Sequence, residues 1–481
     1  MQARALFLSF MVVTLSLSGC FGENEASKST EEPTPFDSLP STTTWYHYPG
    51  GINATNASIG FENLTGNSTP YPALGTYYGI GDTTFEPTIG VTSTGGIHFA
   101  SFGGAGSGTM VYSSMDQGQT WNNMGPFNPI LPIEVGQVPS SNDPYIYVDK
   151  WTDRIVKFDM HALTAMFVEY SDDDGETWSI PFSAEGYYSP QDHQSIASMP
   201  DVDGIGLYDT IFVFCINTGS SAAGPQCSRS LDGAHTWDIQ RPGYPTGTAQ
   251  CSGLHGHLAG SNDGAIYRGN PSCDGPAVYR SIDGGYSWTE HTITTEVPMQ
   301  DGWHSHEVAV ATDEAGNLFA SWISVDQMPW MAYSRDQGET WSEPMMVAPP
   351  EVTETGFPTI FAGDEGRVVV GYIGENVDNG GWSGYMSVMT DAFADNPLIT
   401  SVAVNAPDDP LDSTDDCGNV RCGGFGDFID VELDDEGRPW IALAHNVNGE
   451  LGIVGTYVYG PALYGDLMLL PEITAGGPST L

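Results

Sequence analysis

The sequence predicts an all-β protein: a single β-propeller of four-stranded antiparallel blades, seven in number, with six as the alternative. Three observations carry this. A short turn motif recurs five times at near-constant spacing. Seven units of extended stretch, turn and apolar stretch follow one another between residues 80 and 465. No long helical period appears anywhere.

The motif is Ser-x-Asp-x-Gly-x-Thr-Trp. It begins at Ser114, Ser171, Ser230, Ser281 and Ser334, so successive copies start 51 to 59 residues apart. The copy at Ser230 has Ala234 for Gly, and the copy at Ser281 has Ser287 for Thr. Short Ser and Asp side chains hydrogen-bond nearby backbone N–H groups and fix a tight turn. Gly permits a left-handed backbone there, and Trp covers the hairpin with a large apolar face. Five copies at this spacing mark a repeat architecture. The motif resembles the Asp-box, or BNR, repeat of sialidase-like β-propellers. The resemblance implies that each box joins the two outer strands of a blade, on the face away from the binding site. Asp116, Asp173, Asp232, Asp283 and Asp336 are then structural, and the box itself names no reaction.

Taken in chain order, residues 1–19 read as an export signal: Arg4 is the only charge, and an apolar run from Ala5 to Leu17 follows, short for a spanning helix. Leu17-Ser18-Gly19-Cys20 resembles a lipobox, so Cys20 is the expected lipid attachment point and would hold the exported protein on the outer face of a membrane. Residues 20–75 are expected as a Ser/Thr/Glu/Pro-rich tether, with glycosylation sequons at Asn53, Asn56, Asn63 and Asn67. The propeller spans 76–465, and 466–481 form a tail. The chain carries 13 Lys and Arg against 61 Asp and Glu, a net charge of −48. That charge excludes nucleic acid and anionic lipid surfaces as partners and suits a salty medium that screens self-repulsion. With Cys20 set aside, six cysteines remain. Cys215 with Cys227, Cys251 with Cys273, and Cys417 with Cys422 are the disulfide candidates, among 15 possible pairings of six cysteines.

The seven units have first strands beginning near Glu86, Asp143, His193, His255, His306, Pro358 and Asp427. The unit is the size of a four-stranded blade. The sixth and seventh units lack a box. In the resembled family the innermost strands start on one face beside the axis, so these distant positions converge on one funnel, a usual place for a pocket. The residues placed there are Glu86, Asp143, Asp192, His193, His255, His257, His304, His306, Glu307 and Asp427. His255/His257 and His304/His306 have i, i+2 spacing, which projects each pair to one side of a strand. Imidazole with carboxylate suits a transition metal such as Zn²⁺, and carboxylates with carbonyls suit Ca²⁺. His255, His257, His304, His306 and Glu307 are the metal candidates. Asp143, Asp192, Glu307 and Asp427 are the acid–base candidates. A wet axial channel lined by hydrogen-bonded polar residues is the structural alternative.

Second strands end on the same face and offer Asp159, His161, Asn217, Arg268, Glu375, Asn376, His445 and Asn446. Trp303, Trp322 and Trp382 are either sugar-stacking rings or core. The resembled sialidases grip a carboxylate with three Arg and use a Tyr/Glu nucleophile with an Asp acid/base. Here only Arg241, Arg268 and Arg421 remain for the funnel once the arginines of boxes and inner turns are set aside, and no early Arg-Ile-Pro motif is present. Three functions stay open: a surface module binding glycan or protein ligands, a glycoside hydrolase, and an envelope assembly scaffold.

Overall fold

A computed structural model describes residues 44–48, 58–59, 73–102, 108–126, 141, 143–161, 163, 165–184, 191–218, 224–245, 256–300, 307–349, 352–376, 381–395, 397–406, 409–411, 425–445, 451–466 and 468–477. Cys20, Cys251, His255, Trp303, His304, His306, Cys417, Arg421, Cys422 and Asn446 lie outside them, as do the signal and the four sequons.

Seven antiparallel sheets follow one another around the ring. Their innermost strands are Ile89–Val91, Pro144–Val148, Gln191–Pro200, Leu258–Gly260, Val308–Thr312, Val352–Ala362 and Asp430–Leu433. Blades 1 to 6 are numbered in that order and are each built from four consecutive strands. Blade 7 is different. Three of its strands come from Asp430–Tyr457, and the outermost is Gly75–Thr83, which pairs with Leu451–Tyr457. One blade therefore joins both ends of the propeller sequence and closes the ring. This also explains the missing seventh box: the motif needs a hairpin between third and fourth strands, and blade 7 has no such hairpin.

Each box closes the outer hairpin as the sequence requires. In the second copy the Ser171 hydroxyl accepts from Gly175 N at 2.9 Å, and Asp173 accepts from Thr177 N at 2.8 Å and from its hydroxyl at 2.6 Å. The other four copies repeat these bonds. These hydrogen bonds hold all five box aspartates below the usual carboxylate range, against an opposing contribution from burial. The boxes share a face with the inner-hairpin turns, since Thr92 and Thr94 of the first such turn both donate to Asp174 in the neighbouring box.

The core lies between blades. Blades 5 and 6 enclose Phe319, Trp322, Trp330, Val370 and Tyr372, all buried. Trp322 is fully buried and donates its indole N–H to Val297 O at 3.1 Å, so it is a core residue and no sugar platform. Trp382 is buried as well. Cys215 and Cys227 face each other across one hairpin and are disulfide-bonded, as expected; Cys273 is disulfide-bonded too.

Two strands fall inside the stretch expected as a tether. Thr44–Tyr48, rich in β-branched and aromatic residues, pairs with the outer edge of blade 6, and Ser58–Ile59 pairs with it in turn. The stretch expected as a tail also packs on the ring. Leu470 and Ile473 are buried, and Gly476 N donates to the Thr76 hydroxyl at 2.9 Å.

Candidate functional site at the axial mouth

The innermost strands start on the face opposite the boxes, and the residues at their starts bring His193, His257, Glu307 and Asp430 together at the axis. Two His–carboxylate contacts show the convergence. His193 Nε2 of blade 3 lies 2.8 Å from Glu307 Oε1 of blade 5. His257 Nδ1 of blade 4 lies 3.2 Å from Asp430 Oδ1 of blade 7. Neither pair joins sequence neighbours or adjacent blades.

A single ring is wedged between the two imidazoles. Phe428 meets His193 edge-on, with centroids 5.2 Å apart at 87°, and His257 at 4.9 Å and 75°. Tyr145 of blade 2 completes the group, 6.1 Å from Phe428 and 5.4 Å from His257. Phe428 belongs to a turn closed by its own N–H to Phe425 O at 3.2 Å. Phe425 stacks on Phe357 of blade 6 at 5.9 Å. Gly426 has φ +56°, and a Cβ there would stand 2.3 Å from Glu86 Cγ of blade 1, so only glycine lets the turn sit this deep. The turn thus touches blades 1, 2, 3, 4 and 6 and plugs the axis. Beneath it the inner strands enclose a cavity of about 130 Å³ lined mainly by aliphatic residues such as Val148, Ile196, Leu258 and Ile360. Tyr147, Lys150, Thr312, Thr359, Asp430 and Glu432 line it too, so polar and apolar surface both face the axis.

The mouth stores backbone strain and charge. Glu86, His193 and Phe357 take left-handed φ of 52°, 54° and 53°, the first two near the inner-strand starts of blades 1 and 3 and the third at a bulge within the inner strand of blade 6. Such a conformation costs a non-glycine residue on the order of 1–3 kcal/mol and persists where neighbours over-determine it. His193 is fully buried. Burial pulls its pKa down, but the carboxylates of Glu307, Asp427 and Asp192 prevail and lift it to about 9. It is therefore an imidazolium at neutral pH, ringed by acids. Burial, reinforced by Asp430, raises the Tyr145 hydroxyl well above its ordinary range.

The placement of the expected residues divides cleanly. His257, Glu307, Asp427 and Glu86 stand at the mouth, and Asp143 and Asp192 lie at the inner-strand starts of blades 2 and 3. Asp192 sits at a bulge in its strand and accepts from His193 N at 3.1 Å. Among the described residues no three His, Cys, Asp or Glu side chains gather as metal ligands. Asp159 is turned into the blade, paired with Lys157 at 2.6 Å. Arg268, expected for the funnel, is fully buried. Its guanidinium bonds Gly243 O at 2.6 Å and lies over Tyr279, with burial lowering its pKa to about 10. Arg241 lies on the outermost strand of blade 3, over Tyr286. Neither reaches the axis, because each is consumed by packing between blades. His445 is held by Asp409 at 3.1 Å, and Asp409 also accepts from Tyr77 at 2.5 Å. Tyr145, Phe428 and Asp430 were not legible as site residues. The one available signal was two Phe in a glycine-rich run, Gly423-Gly424-Phe425-Gly426-Asp427-Phe428.

Comparison with known proteins agrees with the repeat. The family model described as BNR/Asp-box repeat matches residues 332–343, within the fifth box hairpin. Solved structures with a similar fold include the NanB sialidase from Streptococcus pneumoniae, at 11% identity over 88% of this chain and 96% of that one, with a TM-score of 0.45. A protein of unknown function from Dyadobacter fermentans is 14% identical over 80% and 98% of the two chains, at 0.42. The Aleuria aurantia lectin is 10% identical over 70% and 99%, at 0.39. No curated protein matches the chain.

Proposed function

We propose that this chain, a seven-bladed β-propeller built on BNR/Asp-box repeats, binds glycan ligands at its axial mouth. The observation that supports this reading is the crossing of two His–carboxylate pairs, His193–Glu307 and His257–Asp430, around the Phe428 and Tyr145 rings. Ionised carboxylates accept hydrogen bonds from sugar hydroxyls and imidazoles donate or accept, while the buried Phe428 and Tyr145 rings hold these groups in place. The measurement is binding to a glycan array and then titration of the best glycan. His257→Ala and Glu307→Gln should each weaken binding about tenfold or more, while Trp178→Phe on the opposite face leaves it unchanged. Unchanged binding in both mouth variants, with folding intact, would refute the reading.

The hydrolase reading keeps Asp143, Asp192, Glu307 and Asp427 as acid–base candidates, and a fluorogenic glycoside panel tests it. The buried Arg268 and outlying Arg241 count against a three-arginine carboxylate grip. A divalent cation, Ca²⁺ or Zn²⁺, is the second candidate occupant of the mouth, with His255, His257, His304, His306 and Glu307 as ligands; elemental analysis of purified protein decides it. Export and anchoring through lipidated Cys20 belong to the same proposal. Fractionation of a Cys20→Ala variant should find the protein released from the membrane.

A further inference from the structure

Five of the seven inner hairpins close to one plan, blade 2 is one residue longer, and blade 3 departs from it widely. In blades 1, 4, 5, 6 and 7 the turn is closed by an N–H to the carbonyl four residues on: Thr92 to Gly96, Ser261 to Ala265, Asp313 to Asn317, Gly363 to Arg367 and Asp434 to Arg438. Blade 2 uses Asp149 to Arg154. Blade 3 alone needs Asp201 to Asp209. Its extra residues, Asp201-Val202-Asp203-Gly204-Ile205-Gly206-Leu207-Tyr208-Asp209, carry aliphatic side chains into solvent. Val202 is 61% exposed, Ile205 47% and Leu207 91%.

This tip is rigid. The Asp201 carboxylate accepts from Ile205 N at 3.0 Å and Gly206 N at 2.7 Å, and Leu207 N donates to Leu231 O at 2.6 Å. The tip leans onto blade 4: Cβ atoms on Gly264 and Gly284 would stand 2.6 Å from Val202 Cγ2 and 3.5 Å from Ile205 Cδ1. There it adjoins Ile282, 65% exposed, and Tyr286. The result is a fixed aliphatic surface on the box face of blades 3 and 4, bordered by the exposed acids Asp203, Asp209 and Asp238. The nearby cations Arg229 and Arg241 are spread over the Tyr286 ring, and Arg229 is tied to Asp238 at 2.9 Å.

We infer that this surface docks a partner protein that presents an aliphatic ridge flanked by Lys or Arg. An apolar patch held rigid and rimmed by polar residues marks an interaction site. The acidic border and the net charge of −48 select a basic partner and steer its approach. A second copy would bring the same acids against themselves across a two-fold axis. An anionic bilayer is repelled for the same reason.

The test uses the purified protein and two fluorescent amphipathic helical peptides with identical leucine faces, one flanked by lysine and one by glutamate. The lysine peptide should bind, bind more weakly in high salt, and bind about tenfold more weakly to a Leu207→Ser/Ile282→Ser variant with an unchanged melting curve. Four results overturn the inference: equal binding of the glutamate peptide, equal binding to the variant, wild-type self-association lost in the variant by sedimentation, or capture by phosphatidylcholine vesicles. These variants lie away from the axial mouth, so glycan binding is an independent readout.

Discussion

Ala234 shows how closely the repeat constrains single residues. Each box turn contains two consecutive left-handed residues: Gln117 and Gly118, Asp174 and Gly175, Gly233 and Ala234, Gly284 and Gly285, Gln337 and Gly338. The motif predicts the second of each pair, because Gly stands there in four copies. It is silent on the first, where Gln and Asp accept the strain. Gly118→Ala should destabilise by about 2–4 kcal/mol, combining left-handed strain with a Cβ 2.7 Å from the Tyr78 ring; denaturant unfolding measures it. Ala234→Gly should stay within about 1 kcal/mol of wild type, because relief of strain offsets lost burial. The box tryptophans are also unequal. Trp288 is 4% exposed, whereas Trp178 is half-buried with its indole N–H on Met124 O at 2.8 Å. Trp288→Ala should therefore cost about 3–5 kcal/mol and Trp178→Ala about 2 kcal/mol, contrary to the equal burial the motif suggests. At the mouth, the imidazolium of His193 has a folded pKa of about 9, above its ordinary value. Its stabilisation is fully present below about pH 6.5 and is lost as pH rises through about 9. His193→Gln should remove that alkaline loss from a series of melting curves. His98 works in the opposite sense: burial, partly offset by Asp174, lowers its pKa. Its contribution is lost as pH falls below about 6.5, where the unfolded ring takes up a proton.

At the scale of elements, what the sequence reveals follows from what is local. Box hairpins are closed by residues four apart, so five of them are readable from spacing alone. Inner strands are readable because a polar residue, a β-branched run and a turn follow in order, and His257, Glu307 and Asp427 were found that way. The pairing of His193 with Glu307 and of His257 with Asp430 skips one or two blades. It depends on the closed ring and on the Phe425–Phe428 turn, and neither leaves a periodic trace. The outer strand of blade 7 is hidden for the same reason, since its paired residues, from Gly75 with Tyr457 to Thr83 with Leu451, stand at opposite ends of the propeller sequence. A protein beginning at Ala73 should keep the cooperative melt of the full chain, because the edge strand at 44–48 only extends blade 6. A protein beginning at Thr84 should lose it, because Leu451–Tyr457 then presents an unpaired edge. Equal melting of the two would show that the ring closes without Gly75–Thr83.

At the scale of the whole molecule, charge dominates. With a net charge of −48 over the whole chain, most of it on the propeller, self-repulsion opposes compaction. Raising sodium chloride from about 0.1 to 1 M shortens the screening length from about 10 to 3 Å. The melting temperature should rise over that range, and a flat or falling curve would show that the acids are already neutralised by pairing or bound cations.

The borrowed strand also sets a timetable. Ribosomes release roughly 5–20 residues per second, so Gly75–Thr83 waits on the order of a minute before its partner Leu451–Tyr457 exists. Until then six blades form an open arc with an unpaired strand at its start. A premature stop anywhere before residue 451 yields an arc that never becomes a ring, however well its individual blades fold. Quality control during synthesis thus has one late event to monitor, and an antibody against Gly75–Thr83 would distinguish arcs, which it binds, from completed rings, which it does not.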